Sequence, residues 1–431
     1  MSCAVAVDER LAGIDRQAAM PHNRLLLACA GHWESDVTTG TVAALLRRGG
    51  IDWPALIESA IRHGVAQIVA AQVTESTEAA DVPATVITCL CRLRDANGDR
   101  NRILLGETAR LVESLRAAGI RRVVLKGAAL APTVYPDPAL RNFADIDILV
   151  GAENLARAAE VVRHIGYPST GPIDPRSLTH ECAWECSQDI LTGTLAPELI
   201  PAHAPRLVSD YTHRVVLELH SGLIRKLEGT PATADMAPFW ESVRQFEIAP
   251  GRTAEMLGPE AMLVHLAIHA SEHAFGRLMF PIDAAFVIRR YGAEIVWDRV
   301  VELARHYSAV PRACQLLHYS RQICGAAIPD HVFSELRAAG RIRVDPAVAQ
   351  ILTAGSAVGS EPRIRRLLAT RSLMEGLRGA SRIIFQPVPT MRTIYGVRSL
   401  PAVWFFYAVR PFLLAARAAR ILVRAKVSGR P

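Results

Sequence analysis

The sequence predicts an α+β protein, a small sheet set between helical regions, and three observations carry that expectation. Residues 121–150, RRVVLKGAALAPTVYPDPALRNFADIDILV, read as strand, glycine turn, short helix, loop and strand. On either side, over about residues 24–118 and 259–339, apolar residues recur at helical spacing. Half of the 431 residues are hydrophobic and 21% are charged, which allows a sizeable buried core and excludes a disordered chain.

Within the central stretch, Val123, Val124 and Leu125 form an apolar run that ends at Lys126-Gly127. Glycine there lets the backbone turn sharply and lets a phosphate come close. Ala128 to Thr133 can open a helix whose first N–H groups have no partner in the helix. The run Asp145-Ile146-Asp147-Ile148 alternates acidic and apolar residues before Leu149-Val150. Successive strand side chains point to opposite faces, so Asp145 and Asp147 share a face about 7 Å apart while Ile146 and Ile148 enter the core. Two carboxylates at that separation suit magnesium, although a solvated edge strand would show the same pattern.

Taken in order, residues 1–20 read as loosely structured and 24–101 as a helical scaffold. That scaffold includes the amphipathic WPALIESAIRH of residues 53–63, broken by Gly64. Residues 101–118 form a further helix with Leu104, Leu105, Leu111 and Leu115 on one stripe, ended by Gly119. A helix over 152–165 returns across the sheet. Residues 168–212, rich in Pro, Ser, Thr and Gly, read as an irregular insertion, and 214–220 as a β-rich run carrying Glu218 and His220. Residues 230–258 read as a linker anchored by Trp240 and Phe246. In the helix that follows, His265, His269 and His273 stand four residues apart and share one face, with Glu272 beside them and Asp283 beyond. That face reads as a polar seam along a cleft, with a dedicated metal site as the alternative. Helices continue over 295–306, 311–324 and 331–339. The expected division is 1–100 helical, 101–250 catalytic core, 251–340 helical bundle and 341–431 basic helical tail.

The text from LKGAAL through YPDPALRNFADIDILV resembles the nucleotidyltransferase superfamily of DNA polymerase β type, and looks like its poorly characterised bacterial branch. The resemblance implies a core with a small mixed sheet, flanked by N- and C-terminal helical regions. It implies transfer of a nucleoside monophosphate from an NTP to an acceptor hydroxyl, with Mg2+ or Mn2+. Asp145 and Asp147 would be metal ligands and catalytic groups, with Glu218 as the third carboxylate and Asp210 or Glu185 as substitutes. Lys126, Gly127, Ala128 and Arg141 would meet phosphate, and His220, His265, His269, His273 and Asp283 would line the cleft. One departure stands out: Gly127-Ala128 replaces the Gly-Ser usual at the turn. It leaves open a catalytically weak nucleotide-binding or regulatory module, and also a toxin–antitoxin-type nucleotidyltransferase.

Charge is uneven. Residues 341–431 hold 16 Lys and Arg against 3 Asp and Glu, and the rest of the chain holds 33 against 39. A basic tail on a mildly acidic body points to an anionic partner. Residues 402–426 combine Trp404, Phe405, Phe406 and Phe412 with Arg410, Arg417, Arg420 and Arg424, which suits a helix in a membrane interface and, almost as well, one docked on the protein's own core, while nucleic acid fits less well. Eight scattered cysteines without Cys-x-x-Cys read as reduced structural thiols. The first residues lack a secretory pattern, so a cytoplasmic protein is expected, with peripheral contact at the inner membrane surface as one reading of the tail helix.

Overall fold

The computed structural model describes residues 20–31, 36–169, 179–185, 214–224, 235–273, 275–338, 401 and 404–415. The chain divides into two compact units, Met1–Thr353 and Ala354–Pro431.

The first unit begins with helices α1 (Pro21–Ala30), α2 (Asp36–Arg48), α3 (Trp53–His63), α4 (Ala66–Thr74) and α5 (Ala84–Ala117). The sequence signals for α3 are realised directly: the Asp52 carboxylate accepts the Ala55 N–H at 3.0 Å, and Gly64 closes the helix at φ 71°. Helix α5 is 34 residues long, so the helix read at 101–118 is the second half of a longer one. Leu90, Leu93, Leu104, Leu111 and Leu115 pack its inner face. The same face also carries buried Asn97, Arg100 and Asn101.

Those three polar residues hold the loop that feeds the central strand. The Asn97 amide donates to the Ala139 carbonyl at 2.7 Å, and Asn101 donates to Pro138 at 2.7 Å and Arg141 at 2.8 Å. Arg100 donates to the Ala144 carbonyl at 3.1 Å. Buried loop carbonyls need such partners, so α5 supplies by side chain what a neighbouring strand would otherwise supply by backbone.

A mixed sheet follows, built from β1 (Val123–Leu125), β2 (Asp145–Leu149), β3 (Thr179–Glu185), β4 (Arg214–His220), β5 (Arg244–Ala249) and β6 (Arg252–Met256). Among the described residues its order is β3-β4-β2-β1-β6-β5. Strand β2 pairs antiparallel with β1 and parallel with β4, and β1 pairs parallel with β6. Helices α6 (Lys126–Thr133) and α7 (Leu155–His164) follow β1 and β2. The fold is therefore the expected α+β arrangement, a small mixed sheet with helical flanks.

The stretch read as a linker carries structure. A short helix, α8 (Ala237–Glu241), buries Phe239, and residues 244–256 form the β5–β6 hairpin, with Gly251 at φ 70° in its turn. Phe246, Ile248, Ala254 and Met256 alternate inward, and Arg122, just ahead of β1, pairs with Glu255 at 2.9 Å. Of the two expected anchors, Phe246 is buried, and the Trp240 ring lies under the Arg121 guanidinium at 4.5 Å. The insertion read at 168–212 contributes β3, antiparallel to β4; Asp210 lies outside the described residues.

Helices α9 (Pro259–Glu272), α10 (Met279–Tyr291), α11 (Trp297–His306), α12 (Val310–Cys324) and α13 (Asp330–Ala338) complete the described part of this unit. Cys29, Cys89, Cys91, Cys314 and Cys324 are free thiols. In the second unit, residues 404–415 are helical, with Trp404, Phe405, Phe412 and Leu413 exposed and Arg410 buried. Arg417, Arg420 and Arg424 lie outside the described residues. Among the described residues no helix is long and apolar enough to cross a membrane.

Candidate active site

Register brings the acidic residues together. Asp147 on β2 stands opposite Glu218 on parallel β4, and His220 lies two residues further along β4 on the same face. Asp147 is 1% exposed. Its Oδ1 lies 2.7 Å from Nε2 of His220 and accepts from the Lys126 ammonium, also at 2.7 Å. Nε2 of His220 is 3.6 Å from Oε2 of Glu218. Asp147, Glu218 and His220 each offer a ligand atom within 4.8 Å of the others. Asp145 sits one pleat back, opposite Val216.

Lys126 reaches the cluster because of its backbone. It opens α6 at φ 49°, the left-handed region, which costs a side-chain-bearing residue about 1–2 kcal/mol. The sequence reading gave Gly127 the turn, but Lys126 makes it. Gly127 is required for space, since a Cβ there would overlap the Phe143 side chain. The missing side chain thus lets Phe143, just ahead of β2, pack onto the start of α6.

Electrostatics divide the cluster. Burial alone would raise the Asp147 carboxyl, but Lys126 and His220 hold it well below the usual range. Burial, the Asp147 charge and, to a lesser degree, Asp145 push Glu218 up to about 7. Burial and Asp147 likewise raise Asp145 to about 6, against the pull of Lys126 and Arg141. The Lys126 ammonium is raised, since Asp147 and Asp145 outweigh its burial. His220 is lowered by burial despite Asp147. Two carboxyl groups that cannot both ionise comfortably form a site that attracts a cation.

A pH effect follows from Glu218. A carboxyl raised above its unfolded value of 4.5 contributes stability that is fully present below that value and is lost as pH rises through about 7. Without metal, Glu218→Gln and wild type should melt alike at about pH 4, and the variant should melt higher at about pH 8. Thermal melts across that range test it; a constant difference would show that Glu218 ionises freely.

The histidine face of α9 meets the same cluster. His265 is buried, and both its ring nitrogens lack a hydrogen-bond partner. Burial, with Lys126 and His220, pushes its imidazole down to about 3, so it is neutral. His269 is also held well below the usual range by burial and by Lys126. Its ring lies 6.5 Å from that of His265 and 4.8 Å from that of His273, and it meets Phe280 edge-on at 5.6 Å.

Arg141 and Asp283 instead pair with each other. Nε and Nη2 of Arg141 donate to the two Asp283 oxygens, each at 2.7 Å, and the Tyr135 hydroxyl donates to Oδ1 at 2.6 Å. Nη1 of Arg141 donates to the Asn142 carbonyl. The pair ties the loop before β2 to α10. Asn97, Arg100 and Asn101, which secure the same loop, were missed in the sequence; the available signal was polar residues at i, i+3 and i+4 on an otherwise apolar helix face.

The sequence matches the model of a family described as uncharacterised nucleotidyltransferase over residues 49–325, well over half of the chain. The chain belongs to that family. The match runs from before α3 to the end of α12, so this nucleotidyltransferase family includes the helices on both sides of the sheet. No curated protein matches the chain as a relative.

Proposed function

We propose that this nucleotidyltransferase moves a nucleoside monophosphate from an NTP to an acceptor hydroxyl at the Asp147 cluster, with Mg2+ or Mn2+. The observation that carries the reading is the register pairing of Asp147 with Glu218, beside Asp145 and at the foot of the Lys126-Gly127 turn. The donor set fits a divalent ion: the carboxylates crowd each other enough to keep Glu218 near neutrality, and a cation relieves that repulsion. Asp147 and Glu218 would hold the ion, with Asp145 alongside, and the ion would screen phosphate charge and acidify the acceptor hydroxyl.

The protein groups have separate tasks. Glu218 would complete the carboxylate set on the ion, and the acceptor hydroxyl, acidified by the ion, would give up its proton to solvent. Lys126 offers its ammonium to phosphate oxygen, and the Gly127 and Ala128 amides at the start of α6 offer N–H donors. Arg141 is left out of phosphate binding because its nitrogens are engaged within the protein; it positions the loop before β2. Chemistry resides in the core expected at 101–250. Incubating the full chain with each α-labelled NTP, Mg2+ and a cell extract tests the reading. Label should move to an acceptor with wild type and not with Asp147→Asn, and equal labelling by both would refute it.

One contact favours a second reading, a nucleotide-binding module of weak activity: the Lys126 ammonium already occupies an Asp147 oxygen that a metal would use. Magnesium-dependent NTP binding with no transfer to any acceptor would select it. For the second unit we propose peripheral membrane contact through helix 404–415, on the strength of exposed Trp404, Phe405, Phe412 and Leu413. Wild type should sediment with anionic vesicles and the triple variant Trp404→Ser, Phe405→Ser, Phe412→Ser should not. Equal sedimentation would remove this assignment.

A further inference from the structure

His220 and His265 play no chemical part in the reading above, and their placement is unusual for a pure carboxylate site. Nε2 of His220 lies 2.7 Å from Asp147 Oδ1 and 3.6 Å from Glu218 Oε2. Ligand atoms about 2.1 Å from one ion, at angles near 90–110°, stand about 3.0–3.4 Å apart, so these separations bracket those of three ligands around one ion. The nitrogen is a potential donor on the same footing as the two carboxylates.

A second observation is independent of that triad. His265 is buried on α9 with no partner for either ring nitrogen. Leaving a buried polar group unpaired costs about 1–3 kcal/mol, so an imidazole retained there implies something that completes it. It lies close enough to Lys126, His220 and Asp147 for their charges to act on it.

We propose that the site selects a divalent transition ion of the Mn2+ class over Mg2+, with His220 as a nitrogen ligand beside Asp147 and Glu218, and His265 as the partner of a water on that ion. Mn2+ suits carboxylate oxygen and, as a divalent transition ion, also accepts an imidazole nitrogen, whereas Mg2+ takes oxygen almost exclusively. Coordination through Nε2 places the His220 proton on Nδ1. The proposal rests on the Asp147 cluster being the metal site of the proposed transfer, and it adds which ion that site prefers and why.

The test uses the full chain and aqueous Mn2+ and Mg2+, without nucleotide. Calorimetry should show Mn2+ binding at least about tenfold tighter than Mg2+. Pulsed electron paramagnetic resonance of the Mn2+ form should show coupling to a histidine nitrogen. His220→Gln should abolish that coupling and the preference, while His265→Phe should keep the coupling and weaken Mn2+ about 10–100-fold, as loss of a group that orients a ligand does. The wild-type spectrum needs no variant to fold. Equal affinity for the two ions without nitrogen coupling overturns the proposal. Magnesium-dependent NTP binding that survives in the same samples would then leave the functional reading standing, and failure to bind either ion would remove both.

Discussion

Asp283→Ala is expected to destabilise the protein by about 3–5 kcal/mol, the usual loss when one partner of a buried ion pair is removed. The Arg141 and Asp283 side chains are 6% and 1% exposed. Burial alone would weaken the Arg141 charge, but Asp283 outweighs it and the guanidinium stays charged. Removing Asp283 leaves that charge in the interior without its hydrogen-bonded counter-ion, and leaves the Tyr135 hydroxyl without its acceptor. Replacing both members by apolar residues of similar size, as in Arg141→Met with Asp283→Leu, should recover most of the loss, because the penalty lies in the unpaired charge. Urea midpoints for Asp283→Ala and for the double variant measure this. A single-variant loss below about 1 kcal/mol would place the pair in a far more solvated setting than the structure does.

Asp147→Asn should leave the fold intact and lower transfer by at least about a thousandfold, the equivalent of about 4 kcal/mol. Asparagine keeps the shape and an oxygen for His220 or Lys126, so the loss reports charge and not packing. The electrostatics supply a second readout. The Asp147 charge raises both Glu218 and Lys126, so carboxyl and ammonium resonances should both titrate at lower pH in the variant. Glu218 titrating unchanged would mean that the two carboxylates do not sense each other, and the case for a shared cation would fall with it.

The parts of the site that were legible in sequence are those set by local rules. Asp145 and Asp147 alternate with Ile146 and Ile148, and that pattern alone orients β2. Glu218 and His220 lie two apart in a β-rich run, so their shared face follows once β4 is recognised. What was not legible depends on register or on long separations. Nothing local states that Asp147 lies opposite Glu218 while Asp145 lies opposite Val216, yet that register makes Asp147 the centre of the cluster. Arg141 and Asp283 are 142 positions apart, and an arginine beside an Asp-x-Asp strand suggests phosphate until its partner is seen. The β5–β6 hairpin was hidden differently. Its strands are short and half polar, and only Phe246, Ile248, Ala254 and Met256 mark the buried face around the Pro250-Gly251 turn.

The most direct test of the central claim is calorimetric binding of each NTP in the presence of Mg2+ or Mn2+, for wild type and for the Asp145→Asn, Asp147→Asn double variant. Metal-dependent binding in wild type that disappears in the variant is the expected result, and it would locate the nucleotide at strand β2. Metal-dependent binding of equal strength in both proteins would contradict the account, because the nucleotide would then lie away from the Asp147 cluster.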